Sequence, residues 1–476
     1  MWQAEVFTRG NLTLETPPNP NSFLVPFVID HEGQRFAKYP PGWPVLLALG
    51  ILTVGRDLVN PLLAGLAVWL TYRLGRKVWG IPVGLLAAAL TLTSPFFLMN
   101  SATLLSHPFG LVLSAAFALA WLDWAPEAAP KRKLLTTLVA GLSLGVLAVT
   151  RPWTAVGVAL PFILHAVYRM LRGGWQVRWH LLLVAGIAGA IASLYILWQY
   201  AVTGDPFLNP YTLWWPYDKV GFGPGYGTAE QGHTLMHAYV NTRMNLLSGA
   251  QDLFGWGNYS WIFLPFGLLA LAMKKNWQAL LVSSVLVSLI FIYGFYWVGF
   301  WGFGPRYYYE GLYSATILSA AGITWLAGFP IQAHSNWTNF QNWQRVRPVA
   351  VAACLIFLIT SNLISYTPNR LAGLYGLYDM ERHMLEPFEI AEKQELTPAL
   401  IIVYASIWTE YGVLLELSNA YMDSPFIFAL ARTTEENLEL AQNFPDRRVY
   451  HYYPDQPYQL YHQPRPSGSV DLSQFD

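Results

Sequence analysis

The chain has 476 residues, of which 54% are hydrophobic, 16% aromatic and only 12% charged. Soluble domains average about 25% charged residues, so this composition predicts a polytopic membrane protein with aromatic side chains concentrated at the membrane–water boundaries. The 28 Lys and Arg residues balance the 28 Asp and Glu residues, which gives no sign of nucleic-acid binding. The single cysteine, Cys354, excludes an intramolecular disulfide and a cysteine metal cage.

Residues 1–56 predict an external segment that ends in a short interfacial helix. Residues 1–40 are polar and proline-rich, which predicts an extended loop rather than a core. A charged stretch from Asp30 to Lys38 then enters a Pro-Pro-Gly-Trp-Pro corner, residues 40–44, which is stiff because proline fixes φ. Residues 44–55 are too short to span a bilayer and predict an interfacial or re-entrant helix.

Lys38 and Tyr39 stand at the start of this corner. A cation held by a stiff loop at the membrane boundary suits an anionic lipid headgroup, and tyrosine favours that boundary. The alternative is a helix-start corner whose side chains serve only as interfacial anchors.

Residues 57–366 predict a membrane domain. They contain apolar segments of roughly 17–25 residues, the length needed to cross a bilayer, and a long external loop at 203–258 separates the earlier segments from the later ones. We expect about ten transmembrane helices, near 58–76, 81–99, 105–123, 134–150, 154–170, 181–202, 259–273, 277–297, 309–328 and 347–366.

The positions of Lys and Arg orient these helices. Basic clusters at 73–77, 131–133, 169–178, 274–275 and 345–347 fall on one side, which the positive-inside rule assigns to the cytoplasm. The other side holds the amino-terminal segment, the loop 203–258, the turn 298–308 and the tail. The pattern predicts a multi-pass plasma-membrane protein whose segments rich in Gly, Pro, aromatics and lone charges are external.

The tail, residues 367–476, has the composition of a small external α/β domain. Residues 399–404, 425–429 and 448–452 predict strands. Thr433 followed by Glu436 is a capping box that predicts a helix to about Asn443.

Arg306 lies where a helix re-enters the membrane from outside, in the stretch Phe303–Glu310. A lone arginine at membrane depth is costly and usually functional, and a guanidinium can bind phosphate with two parallel hydrogen bonds. The hydroxyls of Tyr307 and Tyr308 could donate further bonds. The alternative is a snorkelling anchor that forms a salt bridge with Glu310.

Four other residues are candidates. Arg151 is a second isolated arginine at an external helix junction, and its simpler interpretation is an interfacial anchor. His107 begins a helix on the same face, where a histidine commonly caps or packs. His233 and His237 have the i,i+4 spacing of a metal pair, with no third ligand nearby in sequence. The sequence indicates no specific cofactor, and a divalent metal stays open as an alternative.

Three stretches resemble prokaryotic members of the GT-C glycosyltransferase superfamily. They are Lys38–Gly50, KYPPGWPVLLALG, followed by Val59-Asn60-Pro61-Leu62; Leu253-Phe254-Gly255-Trp256; and Gly304-Pro305-Arg306-Tyr307-Tyr308. The resemblance covers most of residues 20–330. It is to the branch of protein mannosyltransferases, aminoarabinose transferases and rhizobial galacturonosyltransferases. It implies an all-α polytopic membrane protein of GT-C type with a small external α/β domain.

The resemblance also implies a reaction. In that family a polyprenyl-phosphate sugar is the donor, transfer takes place on the external face, and a cation in the first external loop binds the lipid phosphate. The motif position assigns that role to Lys38. The family's acidic residue lies near the end of a first membrane helix, which we expect upstream of Met1, and Asp30 is the alternative base.

The expected partners are a polyprenyl-phosphate sugar and membrane lipid, with a lipid, glycan or protein as acceptor. Two other functions remain as alternatives: a transporter or flippase of lipid-linked sugars, which needs the same phosphate contacts but no base, and a catalytically inactive paralogue that binds the lipid. Against a transporter, the sequence has no inverted repeat and no pair of interrupted apolar segments.

Overall fold

The computed structural model describes residues 1–299, 302–329 and 346–465. The chain forms two compact units. The first, called the α/β unit, comprises Met1–Tyr39, Gln199–Trp214 and Leu371–Asp476. The second, called the membrane unit, comprises Pro40–Trp198 and Trp215–Arg370.

A four-stranded sheet forms the centre of the α/β unit. Strands Ala399–Val403, Phe426–Leu430 and Arg448–Tyr452 run parallel, with the first of them in the middle, and Leu460–Tyr461 adds an antiparallel edge strand. Every residue of the first two strands is buried, as expected for parallel strands covered on both faces. The three predicted strands are confirmed.

Three helices, Glu386–Lys393, Trp408–Gly412 and Thr434–Gln442, accompany this sheet. The last confirms the predicted capping box. Thr433 Oγ1 accepts a hydrogen bond from the Glu436 N–H at 3.2 Å, and Glu436 Oε2 accepts one from the Thr433 N–H at 3.1 Å.

The amino-terminal segment is folded, so the prediction of an extended loop over residues 1–40 is wrong. It forms the helix Trp2–Thr8 and an antiparallel sheet in which Gln34–Ala37 lies between Leu14–Glu15 and Val28–His31. Val28–His31 and Gln34–Ala37 are joined by Glu32 and Gly33, whose φ values of 50° and 78° suit a two-residue hairpin turn. This short turn lets an apparently irregular polar stretch pair with itself.

The membrane unit is built from helices, and every segment predicted to span the membrane contains one. Their bounds are Arg56–Trp79, Ile81–Leu92, Pro95–Ser101, His107–Asp123, Pro130–Thr150, Pro152–Arg172, Trp175–Thr203, Leu264–Lys274, Trp277–Tyr293, Leu312–Leu326 and Val346–Ser361. Among the described residues, four helices are long and apolar enough to cross a bilayer, or up to six if each of two bent pairs is one span. The expected total of about ten stays a prediction.

A sharp bend separates the helix Gly42–Thr53 from Arg56–Trp79. The two axes differ by 113°, and Gly55 between them has a φ of 86°. Glycine reaches this left-handed region without the steric cost that a side chain would bring. The short helix predicted over 44–55 is therefore confirmed as a separate element, and its interfacial position stays a prediction.

The region 203–258 is not one continuous loop, so that prediction is wrong where the chain forms helices. It contains the helices Pro210–Trp214 and Leu235–Asp252. The longer helix begins after Thr234, whose hydroxyl accepts a hydrogen bond from the His237 N–H at 3.2 Å. This threonine cap is the local signal that the polar composition obscures.

The helix Val346–Ser361 continues through a π-helical turn, Asn362–Tyr366, into Thr367–Ala372. None of the residues of Val346–Ser361 is buried. In the π-helical turn, Asn362 Nδ2 donates to the Thr93 carbonyl at 2.6 Å. Gly255 lies against the same side chain: an added Cβ there would come within 1.9 Å of Asn362 Oδ1.

Candidate functional site

The predicted turn before Arg306 is held by its backbone carbonyl groups. The Gly302 carbonyl accepts a hydrogen bond from Arg370 at 2.7 Å, and the Phe303 carbonyl accepts one from Asn100 Nδ2 at 3.0 Å. Gly304 has a φ of 71°, and a Cβ there would lie 2.7 Å from the Phe96 ring. The glycine of this motif is therefore required by both backbone conformation and space.

Arg306 begins a 3₁₀ helix, Arg306–Gly311, that leads directly into Leu312–Leu326. Its backbone N–H donates to the Gly304 carbonyl at 2.8 Å, and its guanidinium carbon lies 5.3 Å from the centre of the Tyr307 ring. The Tyr307 ring stacks on Tyr293, with ring centres 4.8 Å apart, whereas Tyr308 is buried.

Glu310 pairs with Arg151 and not with Arg306, so the predicted salt bridge of the anchor alternative is wrong. Its Oε1 lies 2.9 Å from Arg151 Nε and 3.4 Å from His107 Nδ1, and its side chain is fully buried. The physical reason is the helix type. In a 3₁₀ helix with three residues per turn, residues four apart do not share a face as they do in an α-helix.

Arg151 and His107 therefore belong to one buried cluster, and the interpretation of Arg151 as an isolated interfacial anchor is wrong. Arg151 also donates to the hydroxyls of Thr154 at 3.1 Å and of Tyr293 at 3.3 Å. Gly110 leaves room for Glu310, because a Cβ at Gly110 would come within 2.7 Å of Glu310 Oε1.

A second ion pair, which the sequence analysis missed, joins Asp252 and Arg370. Arg370 Nε donates to Asp252 Oδ1 at 2.9 Å and its terminal nitrogen to Oδ2 at 3.2 Å. The hydroxyl of Tyr366 donates to Oδ1 at 2.7 Å. The signal that could have revealed it is the position of Asp252, a carboxylate directly before the Leu253-Phe254-Gly255-Trp256 motif.

Lys38 lies in the α/β unit among three aromatic rings. Its side chain is only 2% exposed, and its Nζ lies 4.7 Å from the ring centre of Phe27, 4.9 Å from that of Tyr211 and 5.5 Å from that of Tyr39. Aromatic ring faces attract a cation through their quadrupoles. Tyr39, the other candidate residue at this corner, thus supplies one of the three rings around the Lys38 ammonium.

Asp30 forms an ion pair with Arg35 across the hairpin, with Arg35 Nε 3.5 Å from Asp30 Oδ1. Burial raises the pKa of the Asp30 carboxyl, while Arg35 acts in the opposite direction. The role of Asp30 as a base stays a prediction.

His233 and His237 stack on each other, with ring centres 6.2 Å apart. His233 Nε2 lies 3.0 Å from the Gly294 carbonyl, and His237 Nδ1 lies 3.1 Å from that of Gly232. No group of three His, Cys, Asp or Glu side chains that could hold a metal occurs in the described part of the chain. A metal at this pair stays a prediction.

Lys38 and Arg306 belong to different compact units, and a phosphate site shared by the two stays a prediction. Within the membrane unit, Arg306 follows a turn fixed at its carbonyls and precedes a segment fixed through Glu310. The arrangement can present a guanidinium from a rigid backbone, which is what recognition of an anionic headgroup requires.

Neither a protein-family model nor a curated protein sequence matches the chain. Solved structures do. ArnT from Cupriavidus metallidurans in the apo state is 14% identical, with a TM-score of 0.52 over 87% of this chain and 79% of that one. ArnT bound to undecaprenyl phosphate is 13% identical, with a TM-score of 0.52 over 94% and 87%.

The archaeal oligosaccharyltransferase AglB from Archaeoglobus fulgidus, in complex with an inhibitory peptide and a dolichol-phosphate, is 13% identical. Its TM-score is 0.50 over 89% of this chain and 59% of that one. The chain has a GT-C fold. The likeness confirms the fold type implied by the motifs at Lys38–Gly50 and Gly304–Tyr308, whereas the number of spans and the external position of the α/β domain stay predictions. The apolar helices of this GT-C fold also support a location in a membrane.

Proposed function

We propose that the protein is a membrane glycosyltransferase that moves a sugar from a polyprenyl-phosphate donor to a lipid, glycan or protein acceptor on the external face. The observation that carries this proposal is the buried ammonium of Lys38 among three aromatic rings, in a chain with a GT-C fold. Packed rings and the stiff proline corner hold this lysine in a fixed position, which suits a point charge that binds a phosphate.

The chemistry needs a stabilised leaving group, because transfer breaks the bond between the sugar and the phosphate. Preorganised donors aimed at the oxygen that gains charge supply this stabilisation. In the proposed arrangement Lys38 contributes a point charge, Arg306 a planar pair of donors, and Tyr307 and Tyr308 neutral hydroxyl groups. A general base accepts the proton of the acceptor hydroxyl.

The solved structures support the donor class. ArnT has been solved bound to undecaprenyl phosphate, and AglB in complex with a dolichol-phosphate. Both lipids carry a phosphate on a long prenyl chain, which matches the combination of external cations and apolar helices proposed here.

Binding of undecaprenyl phosphate to the purified full chain in nanodiscs tests the proposal without requiring turnover. Lys38→Ala and Arg306→Ala should each weaken binding at least about 30-fold, since removing one partner of a charge-assisted contact costs about 2 kcal/mol or more. Arg306→Lys should rescue little because an ammonium lacks the planar fork, whereas Lys38→Arg should be milder than Lys38→Ala.

Two exposed residues provide matched controls, Lys393→Ala in the α/β unit and Arg243→Ala in the membrane unit, and both should bind like the unmodified chain. If both Lys38→Ala and Arg306→Ala retain full binding, the phosphate site is wrong. If Arg306→Lys is nearly unchanged, Arg306 is an interfacial anchor.

Reporter fusions after Lys133, Arg178 and Lys275 should report cytoplasm, and fusions after Gly227 and within the tail should report the outside.

A further inference from the structure

The turn Gly302–Pro305 connects the second ion pair to Arg306. The same terminal nitrogen of Arg370 donates to the Gly302 carbonyl at 2.7 Å and to Asp252 Oδ2 at 3.2 Å. A Cβ at Gly304 would also lie 3.4 Å from Asp252 Oδ2. One carboxylate and one guanidinium therefore define the path of the backbone four residues before Arg306.

Asp252 keeps the Arg370 guanidinium in a fixed plane. It receives two hydrogen bonds from Arg370, one from Tyr366 at 2.7 Å and one from Ser248 at 3.4 Å, and it is only 3% exposed. A planar fork bound at two points has lost its rotational freedom. The second hydrogen of the same terminal nitrogen then meets the Gly302 carbonyl in a defined direction.

We propose that Arg370 and Asp252 are positioning residues that fix the Gly302–Pro305 turn and thereby aim the Arg306 guanidinium at the lipid phosphate. This inference rests on the proposed function. The chain of contacts is complete: Arg370 holds Gly302, Asn100 holds Phe303, and the Arg306 N–H binds the Gly304 carbonyl. Neither residue needs to touch the phosphate.

A double-mutant comparison separates positioning from a general structural role. Binding of undecaprenyl phosphate is measured for Arg370→Ala in the unmodified chain and again in the Arg306→Ala background. If Arg370 acts through Arg306, it should weaken binding about tenfold in the first background and less than about twofold in the second, because residues that act as a unit are not additive. Asp252→Asn, which preserves size, should show the same pattern.

Arg347→Ala is the matched control. Arg347 lies at the other end of the same long helix and also donates to backbone carbonyls, those of Trp325 and Leu326. Its substitution should change binding by the same factor in both backgrounds. Thermal unfolding of each variant verifies that it is folded, and Arg370→Lys should restore part of the binding by keeping a donor near Gly302.

The other outcomes are also decisive. Equal losses for Arg370→Ala in both backgrounds would mean that Arg370 acts independently of Arg306 and would overturn the inference. Full binding by Arg370→Ala together with weak binding by Arg306→Ala would overturn it while leaving the proposed function intact. Full binding by Arg306→Ala would instead remove the phosphate role of Arg306, and the inference with it.

Discussion

The two compact units both contain short Arg–carboxylate pairs, but the surroundings of these pairs differ. In the membrane unit, Arg151 and Glu310 are 2.9 Å apart, with side chains 15% and 0% exposed. In the α/β unit, Arg9 and Asp423 are closer, at 2.6 Å, yet both side chains are 50% exposed. Water screens the second pair and competes for its hydrogen bonds. The shorter distance therefore belongs to the pair that we expect to matter less.

Burial changes what each substitution leaves behind. An exposed partner that loses its ion pair is solvated again at little cost. A buried partner remains as an uncompensated charge in apolar surroundings. The comparison thus predicts that the loss in free energy of unfolding on substitution depends on the exposure of the ion pair rather than on the distance between its partners.

The largest effect should come from Arg151→Ala or Glu310→Ala. Each leaves one buried charge, and we expect a loss of about 3–5 kcal/mol in the free energy of unfolding. Thermal unfolding in detergent micelles measures this loss as a lower melting midpoint. The double substitution Arg151→Met with Glu310→Leu should lose less than either single one, and a larger loss for the double variant would contradict this account.

An intermediate effect is expected from substitution of Arg35. This residue is buried but lies in the α/β unit, so it shows whether burial or the unit determines the effect. Arg35 belongs to the α/β unit but is only 3% exposed, and it donates to the Phe23 carbonyl and pairs with Asp30. Burial lowers its pKa. Arg35→Ala should cost about 1–3 kcal/mol through the unsatisfied groups it leaves.

Arg35→Ala tests whether burial or the unit determines the loss of stability. If Arg35→Ala behaves like an exposed pair, with no measurable change in thermal unfolding, the membrane unit itself rather than burial explains the difference. Asp30→Asn, at a partly exposed position, should cost less than Arg35→Ala.

The smallest effect should come from Arg9→Ala, with a change in melting midpoint of about 2 °C at most. The hydrogen bond from Arg9 lowers the pKa of Asp423. A carboxyl whose folded-state pKa is depressed stabilises the fold above its unfolded pKa, and this contribution disappears as pH falls through the folded value. The melting curves of Arg9→Ala and the unmodified chain should therefore converge in acid, and a difference that persists there would contradict the pairing.

The sequence predicts features that depend on neighbouring residues. The strands Ala399–Val403 and Phe426–Leu430 are continuous apolar runs, the Thr433 cap is four residues long, and each predicted span is an apolar stretch that contains a helix. The GT-C motifs likewise are short segments whose own glycines and prolines restrict the backbone.

What escapes the sequence is the convergence of distant residues. The sequence gives His107 and Arg151 as separate candidates and Glu310 as a partner of Arg306, because the meeting of the three depends on helix packing and on the space left at Gly110. The pairing that the anchor alternative places within Phe303–Glu310 fails because a 3₁₀ turn replaces an α-helical one. The amino-terminal hairpin escapes because its signal is a single two-residue turn at Glu32 and Gly33.

The exposed helix Val346–Ser361 has a consequence for local opening. Segments with few buried contacts separate from a structure at lower free energy than its core, and this helix contributes no buried side chain. Asn362 and Arg370 lie further along the same continuous helix. Its opening would therefore remove Asn362 from Thr93 and Arg370 from Gly302 together. Amide hydrogen exchange should therefore be faster here than in Leu312–Leu326, whose first thirteen residues are buried. Lipids that pack on this helix would then slow its exchange and, through Arg370, steady the backbone that leads to Arg306.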